Sequence, residues 1–368
     1  MLKKFSPSVL GLMIRHRRCR TGFCFVRVLR TLRGMAVCIA FLCATQNCGQ
    51  PTRRNAEREG RVRLDSLQSV ALGVRKRFVV YLPPSYNTSS ARRYPVAYYL
   101  HGAGEDEWAW IRHGHIDVVA DSLASRHVAE LIVVMPDGDD GYYTAWPDST
   151  HYAANYAACK RAHAWWSRLW RERLREYCVP HPRYDDYLAR DLVPHVDSAY
   201  RTVPNRANRG IAGASMGGYG AVYLALTRPE IWGAAASHSG VLAPLRISKE
   251  AGAPEAAVTT RRLENAYGRR WPYWRERYGA TVFDWLLRDP CSRAADLSSR
   301  NRSQLPSLSF DVGNSDPFLF QNRSFHHCLI ELHIAHAYAE RMGGHDWDYW
   351  RRNVRNSLQW LATQLRDQ

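Results

Sequence analysis

Short apolar segments alternate with amphipathic segments along most of this chain. The apolar segments, each closed by glycine, proline or a polar residue, predict β-strands at Arg77–Leu82, Tyr94–His101, Leu131–Met135, Arg209–Gly213, Ala234–Ser237, Ser307–Val312 and His336–Arg341. Helical spacing predicts α-helices at Val118–Ser125, Gly217–Arg228, Phe320–Leu332 and Trp347–Leu365. Strands that are apolar on both faces favour a mostly parallel sheet covered by helices on both sides, which is an α/β fold.

The domain organisation follows from where this alternation starts. Residues 49–66 are polar and rich in arginine, which predicts a linker. Residues 67–368 contain no repeat, no low-complexity tract and no second linker. We therefore expect one domain over 67–368, with a long insertion at 148–183.

The charge of the chain is concentrated at its N-terminus. The 51 Lys+Arg and 34 Asp+Glu give a net charge of +17, but residues 1–63 alone hold 14 basic and 2 acidic side chains. Because little excess remains in the body, the high pI does not indicate a nucleic-acid partner. Since no apolar run approaches the ~20 residues that cross a bilayer, no integral membrane segment is predicted.

The first 48 residues have the pattern of an export signal. Residues 1–34 carry nine Lys/Arg and no Asp/Glu, and the apolar run Met35–Ala44 follows them. A basic stretch before a short apolar core is typical of secretion signals. We expect an exported protein, periplasmic or secreted. The alternative is an unstructured N-terminus on a cytoplasmic protein.

The cysteines of the body do not indicate a metal site. Cys159, Cys178, Cys291 and Cys328 show neither a C-x-x-C pair nor zinc spacing, so no metal or cofactor is predicted. Three pairings of these four thiols are possible in an oxidising compartment.

The segment Gly213-Ala-Ser215-Met-Gly217 carries the strongest chemical signal in the sequence. It lies between a predicted strand and a predicted helix, where the small residues allow a tight turn that exposes the serine hydroxyl. We therefore predict Ser215 as a nucleophile, with the Met216 N–H at the helix N-terminus facing a developing oxyanion. The alternative is a turn in which the serine only caps the helix.

A serine nucleophile needs a base and a residue that orients the base. His345 lies in the glycine turn Gly343-Gly-His345, just before the last predicted helix, and is the predicted base. Asp316 follows the strand Ser307–Val312 and is the predicted acid; Asp311, inside that strand, is its competitor. A capping or turn role is the alternative for either aspartate.

Other strand ends supply candidates for the rest of the site. In His101-Gly-Ala-Gly104, we predict Ala103, with Gly102 as its neighbour, as the second oxyanion donor, and His101 as a residue that holds the loop. Trp146 and Trp347 lie near strand ends, where ligands of α/β proteins bind, and are candidate pocket walls along with Gly102.

These motifs resemble the esterase D-like branch of the α/β-hydrolase superfamily, which includes S-formylglutathione hydrolases, feruloyl and acetylxylan-type esterases and antigen 85 mycolyltransferases. The resemblance runs from about Arg77 to Trp360. It implies an α/β-hydrolase fold, a Ser215–His345–Asp316 triad, and oxyanion donors at Met216 and near Ala103.

The resemblance implies a serine carboxylic-ester hydrolase that forms an acyl-enzyme with a carbohydrate or other small acyl ester. An acyltransferase that passes the acyl group to an alcohol is the alternative, and a non-catalytic binding module on this scaffold is a second. The long stretches 148–183 and 245–291 depart from the family pattern and could reshape the pocket, so the resemblance does not fix the substrate. The sequence does not give the oligomeric state.

The insertion 148–183 has a centre rich in tryptophan and arginine. Trp165 and Trp166 belong to an apolar stripe at helical spacing, while the arginines lie mostly on another face. We predict a helical lid at the substrate entrance, which Cys159 and Cys178 could clamp as a disulfide. A helix packed on the main body is one alternative, and a helix at a membrane surface is another.

Overall fold

The computed structural model describes residues 61–147, 179–246 and 258–365 of the chain. The predicted export signal at 1–48 lies outside the described residues. So does the centre of the predicted lid, with Trp165, Trp166, Cys159 and Cys178.

Eight strands of the described residues form one sheet in the order β1-β2-β4-β3-β5-β6-β7-β8. β1 and β4 each pair antiparallel with β2, and the other neighbours are parallel. The strands are β1 Val62–Gln68, β2 Arg75–Tyr81, β3 Val96–Leu100, β4 Ile132–Pro136, β5 Arg209–Ala214, β6 Ala234–His238, β7 Ser307–Gly313 and β8 Ala337–Arg341.

The described helices separate and follow the parallel strands. They are α1 Ala109–Arg112, α2 Ile116–Ser125, α3 Tyr184–Asp186, α4 Val193–Ala199, α5 Met216–Thr227, α6 Thr260–Tyr267, α7 Trp271–Tyr278, α8 Val282–Leu286, α9 Pro290–Asn301, α10 Leu319–Glu331 and α11 Trp347–Gln364. A π-helical segment, Tyr187–Leu192, joins α3 to α4. Four short 3₁₀ segments connect other elements at Pro84–Asn87, Arg206–Asn208, Gly268–Arg270 and Arg302–Gln304.

Helices cover both faces of the sheet, so the predicted α/β class is confirmed. All residues of β3, β4, β5 and β6 are buried, as expected of parallel strands with helices on each side. One hydrophobic cluster contains the buried side of α5, and the other contains the apolar side of α11. α5 is apolar around nearly its whole circumference because it lies between the sheet and α9.

Strand β1 corrects the predicted domain boundary. Residues 62–66, assigned to a linker by the sequence, belong to β1, which pairs with β2 in the register Leu64↔Val79. β1 is an edge strand in which only Leu67 is buried, so its apolar signal is weak. The sheet therefore begins before the predicted domain start at residue 67.

The two ends of the predicted insertion 148–183 lie next to each other. Ala145 forms an isolated antiparallel bridge with Arg183, and the Trp146 N–H donates to the Pro182 carbonyl at 3.0 Å. The insertion therefore leaves and re-enters the described fold at one place.

One cysteine pair of the body is joined in the structure. Cys291 in α9 and Cys328 in α10 form a disulfide with a Cα–Cα distance of 6.1 Å. This bond ties together two helices that flank β7. Sequence spacing did not predict this pairing, because the two cysteines are 37 residues apart in the chain.

Candidate active site

Ser215 lies at the sharp turn between β5 and α5, as the sequence motif predicts. Its backbone has φ 55° and ψ −118°, a region that non-glycine residues rarely occupy. A Cβ at Gly213 would lie 2.5 Å from the Gly217 carbonyl carbon, and one at Gly217 would lie 2.3 Å from the Leu100 oxygen. Only glycine permits this close crossing of strand and helix, which leaves the Ser215 side chain clear of the sheet.

Ser215, His345 and Asp316 form one continuous hydrogen-bonded chain. The His345 Nε2 atom lies 2.8 Å from Ser215 Oγ, and the His345 Nδ1 atom lies 3.0 Å from Asp316 Oδ2. The Asp316 side chain is fully buried, whereas that of His345 is 22% exposed. The structure thus brings together the three residues that the sequence selected as nucleophile, base and acid.

The imidazole of His345 is held on several sides. The rings of Phe318 and Trp350 make edge contacts with it at centroid distances of 5.0 and 5.1 Å. The second oxygen of Asp316 accepts the Phe318 N–H at 2.8 Å, which fixes the carboxylate. These contacts restrict the ring to the plane in which both nitrogens have partners.

Asp311, the competing acid, has different partners. Its carboxylate lies 2.9 Å from the Nδ1 atom of His238, and it accepts the Tyr349 hydroxyl at 2.8 Å. Within the described residues it makes no contact with His345. The placement of Asp311 inside β7 points its side chain below the strand end, toward α11.

The candidate oxyanion donors flank Ser215. Gly102 lies against the serine, since a Cβ built on it would be 3.6 Å from Ser215 Cβ. Met216 is the first residue of α5, where the backbone N–H has no partner within the helix. In the described part of the chain, neither the Met216 nor the Ala103 amide has a protein acceptor.

His101 fixes the orientation of the loop that carries Ala103. Its Nδ1 atom lies 2.8 Å from the Gly102 carbonyl, and its Nε2 atom accepts the Gly138 N–H at 2.8 Å. Because a peptide unit is planar and trans, fixing the Gly102 carbonyl also fixes the opposite direction of the Ala103 N–H. The structure agrees with the expectation that His101 holds this loop.

The two tryptophans chosen as pocket walls support neighbouring loops. Trp347 donates its indole N–H to Glu105 at 2.9 Å and packs edge-on against Trp110 at 5.1 Å. Trp146 donates to the Gly141 carbonyl at 3.0 Å, and the Arg277 guanidinium lies 4.3 Å from its ring centre. These contacts place both residues against loops around the site, and none of them is with the triad.

A buried charge cluster holds the loop after β4, and sequence reasoning missed it. Lys76 donates to Asp137 and to Asp139 at 2.8 Å each. Burial raises the pKa of Asp139 to about 6 against the opposing charge of Lys76. Burial alone would also raise the pKa of Asp137, but the charge of Lys76 holds it below its ordinary value. Lys76 lies between Arg75 and Arg77 at the start of β2, and nothing in this basic run marks its buried acidic partners.

The helices of the second insertion pack on the same loop. Tyr142 has a left-handed backbone, with φ 54°, and its ring contacts Tyr273, Trp274 and Tyr278 at centroid distances of 6.2, 4.9 and 5.8 Å. The aromatic residues of α7 therefore lie beside the loop that follows β4. The sequence showed that 245–291 is rich in such residues but not which loop they contact.

The described residues contain no helix that is long and apolar enough to cross a membrane. Nor do they contain a group of three or more His, Cys, Asp or Glu side chains placed like metal ligands.

Known proteins that resemble this chain are named as esterases. The model of the Esterase family, described as "Putative esterase", matches residues 69–361. A protein of Mycobacterium tuberculosis (strain CDC 1551 / Oshkosh) named Esterase MT1326 is 27% identical over 292 residues, covering 76% of this chain and 54% of that protein. The chain thus spans about half the length of this curated relative.

Two solved structures share the fold. A ferulic acid esterase superposes with a TM-score of 0.61 at 20% identity, covering 83% of this chain and 98% of the other. An S-formylglutathione hydrolase from Agrobacterium tumefaciens gives a TM-score of 0.58 at 21% identity, covering 83% of this chain and 95% of the other. The predicted α/β-hydrolase fold and the suspected branch are confirmed. Since the family model matches well over half of the sequence, the chain belongs to the Esterase family.

Proposed function

We propose that this protein is a serine carboxylic-ester hydrolase that acts through Ser215, His345 and Asp316. The observation that carries the proposal is the chain of contacts from Ser215 Oγ through both nitrogens of His345 to Asp316, with distances of 2.8 and 3.0 Å. This is the geometry in which a hydroxyl can pass its proton to an imidazole that a carboxylate orients.

In the first half-reaction, Ser215 Oγ attacks the ester carbonyl carbon while His345 Nε2 takes the serine proton. The Nδ1–H donates to Asp316, which keeps the tautomer in which Nε2 can accept. The negative charge on the carbonyl oxygen is stabilised by the amides of Met216 and Ala103. His345 then protonates the leaving alcohol, and the acyl group remains on Ser215.

In the second half-reaction, water releases the acid. His345 removes a proton from the water as it attacks the acyl-enzyme, and returns that proton to Ser215. The partial exposure of the His345 side chain supports water as the acceptor, because solvent can reach the base directly. We therefore propose hydrolysis in preference to transfer to an alcohol.

The substrate class that we propose is a carbohydrate acyl ester or another small acyl ester. The similarity to a protein named Esterase MT1326, and the fold shared with a ferulic acid esterase, support an ester substrate. The aromatic side chains of α7 pack on Tyr142 in the loop after β4, and we propose that they shape the substrate pocket by positioning this loop.

A panel of p-nitrophenyl esters and acetylated or feruloylated sugars tests the proposal. We expect turnover of short acyl esters, with free acid as the product even when a tenfold excess of an alcohol acceptor is added. Accumulation of a new ester in that mixture would instead identify an acyltransferase. Lack of turnover with every ester would indicate a non-catalytic module.

We also propose that the protein is exported. The basic stretch 1–34 and the apolar run Met35–Ala44 support this, and so does the Cys291–Cys328 disulfide, since disulfides persist mainly outside the reducing cytosol. Expressed in a bacterial host, the chain should be cleaved between roughly Ala44 and Thr52, as measured by intact mass of the exported protein. An uncleaved protein confined to the cytoplasm would contradict this proposal.

A further inference from the structure

A second Ser–His–Asp arrangement lies beneath the candidate triad, on the α11 side of the sheet. The His238 Nε2 atom is 2.8 Å from Ser357 Oγ, and its Nδ1 atom is 3.0 Å from Asp311 Oδ1. All three side chains are buried. These two distances equal the corresponding Ser–His and His–Asp distances in the candidate triad.

This second arrangement lacks the features of a reactive serine. Ser357 lies in the interior of α11, where the backbone amides are used within the helix and leave no donor for an oxyanion. Its hydroxyl also contacts the Val354 carbonyl and the Tyr99 hydroxyl, both at 3.0 Å. We therefore consider which parts of the active site the hydrogen bonds of His238, Asp311 and Ser357 hold in place.

One end of the network is bound to the turn that carries Ser215. The Ser215 N–H donates to the His238 carbonyl at 2.9 Å, where β5 and β6 run side by side in the register Ala214↔His238. The side chain of His238, fixed on both nitrogens, thus sets the position of the carbonyl that receives the Ser215 amide.

The other end of the network reaches the loop that carries His345. Asp311 accepts the Tyr349 hydroxyl at 2.8 Å. The Tyr349 ring lies against Gly343, where a Cβ would approach the Tyr349 Cδ2 atom to 2.6 Å. Tyr349 therefore braces the glycine turn next to His345.

Hydrogen bonds, more than apolar packing, fix this network on one side. A cavity of about 490 Å³ lies between α11 and the end of the sheet, bordered by His238, Asp311 and Ser357. Small side chains on β7 and β8, Ser309 and Ala339 among them, leave this space open. Without contacts across the cavity, the polar links determine where His238 sits on this side.

We propose that His238, Asp311 and Tyr349 are positioning residues that hold Ser215 and His345 at their reactive separation. The inference rests on the proposed function, because it assumes that Ser215 is the nucleophile. Under this proposal, the buried pair of Asp311 and His238 sets the geometry of the site without contacting the substrate.

The test removes one hydroxyl at each of two matched places. Tyr349→Phe deletes the bond to Asp311 and keeps the ring against Gly343. Tyr81→Phe deletes a buried hydroxyl that donates to Asp121 at 2.7 Å, on the same side of the sheet but in β2. For both variants we would measure kcat and KM on one aryl ester, the free energy of unfolding in urea, and the rate at which a fluorophosphonate labels Ser215.

We expect Tyr349→Phe to lower kcat and the labelling rate by about tenfold with KM within twofold, since small displacements of reacting groups slow chemistry steeply. Tyr81→Phe should lower the free energy of unfolding by about as much as Tyr349→Phe does, but should leave kcat and the labelling rate unchanged. A Tyr349→Phe variant within twofold of the parent, or an equal loss in Tyr81→Phe, would overturn the inference.

The labelling arm separates this inference from the proposed function. If the parent is labelled at Ser215 but hydrolyses no ester, the proposed function fails while the two labelling rates still decide the positioning role. If the parent is not labelled at Ser215, there is no reactive serine to position, and both proposals are wrong.

Discussion

Ser215→Ala should lower kcat for aryl esters by about 10⁴-fold or more while the protein folds like the parent, because the substitution removes the atom that attacks the ester. Alanine tolerates the backbone of this turn no worse than serine, so the free energy of unfolding should change little. Steady-state kinetics with p-nitrophenyl acetate, together with urea unfolding, measures both quantities. A Ser215→Ala variant that keeps activity within tenfold of the parent would refute the nucleophile assignment.

The chain offers a matched control for this substitution. Ser239 follows the neighbouring strand β6 and shares the positive φ of Ser215, with values of 53° and 55°. Its side chain is buried, and His345 does not contact it in the described structure. Ser239→Ala should therefore retain kcat within about twofold, which would show that the loss in Ser215→Ala comes from the hydroxyl and not from strain in a strand-end turn.

Combining Ser215→Ala with His345→Ala tests whether the two residues act as one unit. His345→Ala should cost about as much as Ser215→Ala, and combining the two should cost no more than either alone, because the residues act as one unit. Additive losses would mean that His345 and Ser215 contribute separately.

Sequence patterns predicted the parallel part of the sheet because those strands are apolar on both faces. β3 to β6 stand out as short apolar runs, and α5 and α11 as helices. β1 was missed because an edge strand with one buried residue has no such run.

The three residues of the candidate triad were predictable because their chemistry requires special local sequence. Gly213 and Gly217 are imposed by the close crossing of strand and helix at Ser215, and the glycine turn before His345 frees that residue from any helix. Such constraints are visible along the chain, so the contacts among Ser215, His345 and Asp316 could be anticipated.

The supporting shell could not be predicted, because its partners come from distant parts of the chain. His238 bonds Ser357 across 119 residues, and Lys76 bonds Asp137 across 61 residues. No periodicity or motif marks these pairs. The fold creates the first pair by placing α11 beneath β6 and β7, and the second by placing β2 beside β4.

Among the described residues, Asp316–His345 and Asp311–His238 are both joined through the histidine Nδ1 atom, so the two pairs can be compared directly to identify the acid. Asp316 meets His345 Nδ1 at 3.0 Å, and Asp311 meets His238 Nδ1 at 3.0 Å. Both aspartates are buried; Asp311 lies within β7, and Asp316 follows that strand. Only one of the two histidines contacts Ser215 through its other nitrogen.

Asp316→Asn should therefore lower kcat by about 10³- to 10⁴-fold without unfolding the protein. An amide in place of the carboxylate can present its NH₂ to Nδ1, which places the imidazole proton on Nε2, and Nε2 can then no longer accept the proton of Ser215. Asp311→Asn should cost only about tenfold, since its histidine acts on Ser215 through the backbone. Steady-state kinetics of the two variants, with circular dichroism as the check on folding, makes the comparison. If Asp311→Asn lost more activity than Asp316→Asn, the assignment of the acid would be reversed, because both substitutions remove a carboxylate charge from a buried residue.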